Sequence, residues 1–114
     1  MIHFLSNHKD TQPLKDITGE DVTLISHPYI EPEWTTEQVS AKCRRTIADA
    51  VRAEKLVANG DYTLVAMIVL IRATMGKSTG FIAMKKLNEP TAERDADGNI
   101  VHRNVLRPVG VRYV

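Results

Sequence analysis

The chain has 114 residues, 43% of them apolar and 25% charged, which fits one soluble globular domain over residues 1–114 with a single modest core. Lys and Arg number 15 against 14 Asp and Glu, and this balance excludes the basic groove that long nucleic acids need, though a small anionic ligand needs only a few local charges. Cys43 is the only cysteine, so no intrachain disulfide is expected and the simplest compartment is a reducing cytoplasm.

The opening "MIHFLSNHKD" lacks the charged and apolar regions of a secretory signal. The longest apolar run, Leu64 to Ile71, is far shorter than the roughly 20 residues that span a bilayer, so no membrane partner is expected. "IHFLS" (2–6) is a β-prone strand, and the polar "SNHKDTQP" after it, closed by a proline, reads as a loop. "DVTLIS" (21–26) is a second strand, stopped by the two prolines of "HPYIEPEW". Thr35 and Gln38 fit a capping box, with Trp34 placed to staple onto Val39. Val39, Cys43, Ile47 and Val51 then recur every four residues, while Lys42, Arg44, Arg45, Asp49 and Arg52 take other faces. This predicts one amphipathic helix from about Thr36 to Glu54.

"KLVAN" (55–59) has the length of a buried strand, and Gly60-Asp61 interrupts the apolar pattern that follows. Asp61 is a good N-cap for a helix from Tyr62 to Met75, which Gly76 is placed to end. Apolar on nearly every face, that helix is expected to be central, covered by the sheet and by another helix or subunit. "GFIAMKK" (80–86) reads as the next strand, and Asp97-Gly98 as a turn. "NIVHRNVL" and "VGVRYV" supply further strand. Val105, Val109, Val111 and Tyr113 share one alternation there, and Pro108 implies an edge or a bend.

The order is β, loop, β, α, β, α, β, turn, β. It predicts an α/β fold: a compact Rossmann-like three-layer domain, mostly parallel, with an antiparallel C-terminal strand. In such sheets ligands collect beyond the carboxyl ends of the strands. That rule gathers Ser6-Asn7-His8, His27-Pro28, Asn59-Gly60-Asp61-Tyr62-Thr63 and Lys85-Lys86 on one edge. Gly60 lets a ligand approach the backbone. The carboxylate of Asp61 would repel phosphate and suits a ribose hydroxyl or base amino group, unless it only caps the helix. His8 is a candidate general acid or phosphate contact, and His27 has the same ambiguity. Lys85 and Lys86 could neutralise phosphate or protect an edge. His3, His8, His27 and His102 lack metal-ligand spacing, so no metal or cofactor is expected. "MGKSTG" (75–80) is not a P-loop, because it follows a helix and opens a strand.

With "SNH" (6–8), "HPYIEP" (27–32), "WTTEQV" (34–39), "ANGDYTLVAMIVLI" (58–71), "DG" (97–98) and "VLRPVGVRYV" in place, the chain resembles a family of small CRISPR-associated proteins with a Rossmann-like, CARF-related fold. Members of that family include ring nucleases, which open cyclic oligoadenylate signals. The likeness is spread over most of the chain in short motifs. Two departures stand out. The fourth strand ends in Lys85-Lys86 where the family tends to small hydroxyl residues, and the segment before the second strand is too short for a proper first crossover helix.

The resemblance implies a protein that binds a cyclic oligonucleotide second messenger at a homodimer interface, where a two-fold axis presents every contact twice. It gives Asn7 and Asp61 the reading of ribose or base, Tyr62 stacking, and Gly60, Thr63 and Lys85 or Lys86 the phosphates. If the ring is cleaved, His8 and Lys85 are the expected catalytic groups, acting without metal. A viral or mobile-element sponge would use the same pocket without turnover. A third alternative is a protein-interaction module built on helix 62–75 and the last strand.

Overall fold

A computed structural model describes every residue, Met1–Val114. Its elements are β1 (Ile2–Ser6), α1 (Gln12–Thr18), β2 (Val22–Ser26), α2 (Thr36–Lys42), α3 (Arg44–Arg52), β3 (Leu56–Ala58), α4 (Tyr62–Thr74), β4 (Gly80–Arg94) and β5 (Ile100–Tyr113). One five-stranded sheet has the order β2-β1-β3-β4-β5. The first four strands are parallel and β5 runs antiparallel to β4, the mostly parallel Rossmann-like sheet that the strand–helix alternation predicts.

The central strands β1 and β3 bury both faces. Ile2, Phe4 and Val57 pack with Leu14 of α1 on one side, and Leu5, Leu56 and Ala58 pack with α2, α3 and α4 on the other. Alternation along β1 explains the split, since successive side chains point to opposite faces. The capping box forms as expected: Thr35 Oγ1 accepts from the Gln38 N–H at 3.2 Å and Gln38 Oε1 from the Thr35 N–H at 2.8 Å. Gly76, at φ 71°, lies one residue past the C-cap Met75 in the left-handed conformation that L-residues avoid.

Four expectations are corrected. The stretch read as a loop holds α1, with Pro13 in its first turn and Gly19 (φ 69°) closing it. The proline starts the helix, because its missing N–H is an orphan there anyway. The long amphipathic helix bends at Cys43 (φ −103°, ψ 19°) and ends at Arg52. Bonds from the Cys43 N–H to Val39 O and from the Ile47 N–H to Cys43 O cross the bend, so the four-residue repeat runs through it unbroken.

β4 does not stop at Lys86 but continues to Arg94, pairing with β5 as a two-stranded arm. Arg107 grips Glu89 through two bonds of 3.1 and 2.9 Å, and Arg103 reaches Glu93 at 2.8 Å. Such cross-strand pairs hold a ribbon whose faces both meet solvent. The arm stretches the molecule to 57 × 36 × 21 Å, with a radius of gyration of 17.5 Å against about 13 Å for a globule of similar length. A register shift pairs Met84 with Pro108 directly after Ala83 with Gly110, leaving Val109 as a bulge. Val105 therefore lies on the face opposite Val111, and the shared alternation fails at that residue.

Within the chain α4 packs against the sheet, α2 and α3, burying Leu64, Val65, Ile68 and Arg72 and leaving Tyr62 93% and Leu70 68% exposed. Arg72 is fully buried without a carboxylate. Its guanidinium donates to Ala50 O, Val51 O and Ala53 O at the end of α3, and to Ser78 O and Thr79 Oγ1 ahead of β4. Burial pushes its pKa down, partly offset by Glu54. No helix is long and apolar enough to cross a membrane.

Candidate functional site

The chain leaves β1 for β2 on one side of the sheet and returns to β3 on the other. The crevice between the ends of β1 and β3 is thus the topological switch point, where open α/β sheets bind ligands. Register sets the height of each strand end. Ser6 lies level with Ser26 and Leu5 with Ala58, and the His27 N–H donates to Ser6 O while the Asn59 N–H donates to Leu5 O. The polar residues Asn7, His27 and Asn59 therefore emerge together.

His27 organises one half of this edge. Its Nδ1 lies 2.6 Å from Pro28 O, which can only accept, and its Nε2 lies 3.0 Å from the backbone N–H of Asp61, which can only donate. Those partners fix the ring as the Nδ1–H tautomer, with Nε2 accepting. The ring rests directly on Gly60. A Cβ built there would stand 2.2 Å from Cδ2 and 2.3 Å from Nε2 of His27, and the φ of Gly60 is not in the left-handed region. Glycine is needed at this turn because a side chain of the protein itself makes the close approach.

Asp61 does cap α4: its Oδ1 accepts from the Thr63 and Leu64 N–H groups at 2.9 and 3.1 Å. Its Oδ2 takes no hydrogen bond from the protein. Beneath it Cys43 is buried, and burial first, then the charge of Asp61, pushes the thiol pKa up.

The predicted residues divide between two cavities. One of about 350 Å³ is lined by Asn7, His27, Gly60 and Asp61, with Tyr29 at its rim. The other, about 590 Å³, lies on the α1 side, with Ser6, His8, Asp10 and Asn59 around apolar walls that include Met84 and Pro108. Ser6 is buried there and its Oγ accepts from the His8 N–H at 3.0 Å. Tyr62 and Thr63 line neither cavity: Tyr62 points from the exposed side of α4, and the Thr63 N–H is taken by the cap. Lys85 and Lys86 also line neither, standing on the arm one and two residues beyond Met84.

Compared with known proteins, the chain matches no family model, no curated protein and no solved structure. The site therefore rests on its own geometry. Asp10 and Tyr29 belong to it and were not expected from the sequence. Tyr29, 77% exposed between two prolines, carried a readable signal, an aromatic ring set out on a stiff polar loop. Asp10 is brought in only by the turn that starts α1, where its Oδ1 accepts from the Gln12 N–H at 3.0 Å.

Proposed function

We propose that the protein binds a cyclic oligonucleotide of the second-messenger class at the carboxyl edge of its sheet, as a homodimer in a reducing cytoplasm. The observation that carries this reading is the convergence of Asn7, His27, Gly60 and Asp61 on one cavity at the switch point, with Ser6, His8 and Asn59 lining the next. Two adjoining cavities suit a ligand with repeated nucleotide units. The free Oδ2 of Asp61 accepts from a ribose hydroxyl or base amino group, the Asn7 amide reads a base edge, and Tyr29 offers a stacking face. Lys85 and Lys86, outside both cavities on the arm, offer positive charge to phosphate that extends past Met84.

Turnover, where it occurs, is transesterification. A ribose 2′-hydroxyl attacks the adjacent phosphorus and the bond to the 5′-oxygen breaks. The attacking hydroxyl loses its proton to solvent and the leaving oxygen gains one, giving a 2′,3′-cyclic phosphate and a 5′-hydroxyl. His8, which lines the larger cavity, donates the proton to the leaving oxygen. A second reading, sequestration without cleavage, is favoured by the lining of the His8 cavity, which includes no lysine or arginine to stabilise a reacting phosphate.

Incubation with cyclic di-, tri-, tetra- and hexa-adenylate, followed by chromatography of the heat-released nucleotide, tests both readings. Linear product supports turnover and intact ligand supports sequestration. A full panel recovered in the unbound fraction, unaltered, would remove the proposal.

A further inference from the structure

The sheet ends on one side at β2, with no strand beyond it. Along such a strand, alternate residues turn their N–H and C=O groups to opposite sides. The Ile2 N–H donates to Asp21 O and the His27 N–H to Ser6 O, so Asp21, Thr23, Ile25 and His27 face β1. Val22, Leu24 and Ser26 therefore turn their backbone groups outward, away from the sheet. Open edges are ordinarily blunted by proline, lysine or a bulge. The arm is blunted in this way, by Pro90, Pro108 and the bulge at Val109. β2 carries none of these devices, and its register with β1 is unbroken over five residues.

Beside this edge, below the end of α3, lies a cavity of about 610 Å³. His3, Ile25 and the buried Ala53 are its less exposed walls, and Asp49, Arg52 and Glu54 its exposed ones. We propose that β2 and this cavity together dock an extended peptide of another protein. The peptide adds a sixth strand and sets a basic and an acidic side chain, two residues apart, against α3.

Charge commits the edge to that occupant. Asp49 and Arg52 stand one turn apart on α3, yet neither forms an ion pair within the chain. The Glu54 side chain is 96% exposed and reaches only Lys77, at 4.0 Å. Helix positions three apart lie about 5–6 Å from each other, and same-face neighbours on a strand about 6.7 Å. A basic residue opposite Asp49 thus brings the residue two places along beside Arg52. Reach narrows the choice further. The added strand lies about 4.8 Å beyond β2, so only a long side chain arrives at α3. Lysine or arginine lays its methylenes along Ile25 and Ala53 and carries its charge to Asp49.

His3 points the same way. Its Nδ1 is the one buried side-chain polar atom of the chain without a hydrogen-bond partner. The N–H groups of a basic head seated in the cavity supply the donor it lacks. A second copy of the chain does not match, because its own β2 would present Thr23 and Ile25, and neither has a charge for Asp49 or Arg52. None of this depends on the nucleotide reading, since the cavity lies toward the amino end of β1, at Met1 and His3, and shares no residue with the Asn7–Asp61 cavity.

Fluorescence anisotropy of the full chain with short, labelled, threonine-rich peptides tests the proposal. Their central triplets are Lys-Thr-Glu, Glu-Thr-Lys, Lys-Thr-Lys and Glu-Thr-Glu. One mixed-charge peptide, the order set by strand direction, is expected to bind at least about tenfold more tightly than either like-charged one. Asp49→Lys transfers the preference to Glu-Thr-Glu. Ser26→Pro removes one outward N–H at an exposed position and weakens every peptide while the melt stays cooperative. Amide exchange followed by nuclear magnetic resonance needs no variant: Val22, Leu24 and Ser26 exchange fast in the free chain and slow when the peptide is bound. No binding of any peptide up to about 1 mM, the weak end of specific recognition, would overturn the proposal. So would equal affinity for all four peptides, or protection of the three outward amides in the free chain, which would mean that a second copy already covers the edge.

Discussion

Replacing Gly60 with alanine is the sharpest perturbation of the site, because the reason for glycine there is a single side chain. The three atoms nearest the new Cβ all belong to His27, at 2.2, 2.3 and 3.4 Å. The ring must leave, giving up its bonds to the Asp61 N–H and to Pro28 O, or the backbone must shift to accommodate it. Two part-buried hydrogen bonds are worth about 2 kcal/mol, and a forced backbone shift costs about 1–3 kcal/mol, so the expected loss is about 2–3 kcal/mol. For a domain of this size that lowers Tm by about 8–12 °C in a circular dichroism melt. The control is the double-mutant cycle. With His27→Ala in place the clash is gone, and Gly60→Ala becomes neutral or stabilises by up to about 1 kcal/mol through the unfolded chain. Equal costs of Gly60→Ala in both backgrounds would refute the reasoning.

Other substitutions separate structure from recognition. Arg72→Met orphans the carbonyls at the end of α3 and before β4 and is expected to lose about 3–5 kcal/mol in urea unfolding. Arg72→Lys recovers little, because an ammonium cannot span five acceptors. Asp61→Ala loses the cap, about 1 kcal/mol of stability, whereas Asp61→Asn keeps an acceptor for the Thr63 and Leu64 N–H groups and melts near wild type. If the carboxylate reads ribose, Asp61→Asn still weakens nucleotide binding at least several-fold, measured by calorimetry. The hydrogen bond from Lys55 holds the Glu20 carboxyl below its ordinary range. A depressed folded pKa gives stability that is present above the unfolded value of about 4.3 and is lost as pH falls through the folded one. Glu20→Gln therefore flattens the decline of Tm on acidification below about pH 5 and changes little at neutrality, where an exposed pair contributes weakly.

What the sequence disclosed follows from the range of each interaction. The Thr35–Gln38 box, the Asp61 cap and the Gly76 terminus involve residues two to four apart, and all three were readable. The ends of β1, β2 and β3 were readable because an apolar run stops at each. The seven residues of α1 bury only Leu14, too little for a helical period to show. The part of β4 beyond Lys86 has two wetted faces, so no apolar run marks it, and its pairing with β5 depends on contacts such as Glu89 with Arg107, 18 residues apart. The contact that explains Gly60 joins residues 34 apart, His27 and Asp61. Sequence placed His27 and Gly60 on one edge but could not show that the histidine fills the space glycine leaves. Val109 inverted the faces of half a strand through one extra residue, which no alternation pattern announces.

Native mass spectrometry of the full chain with cyclic tri-, tetra- and hexa-adenylate tests the central claim most directly. The account predicts a bound nucleotide mass on wild type for one ring size, strongly reduced in Asp61→Asn and in Gly60→Ala. Spectra in which no ring is retained by wild type, or in which both variants bind as tightly as wild type, would contradict it.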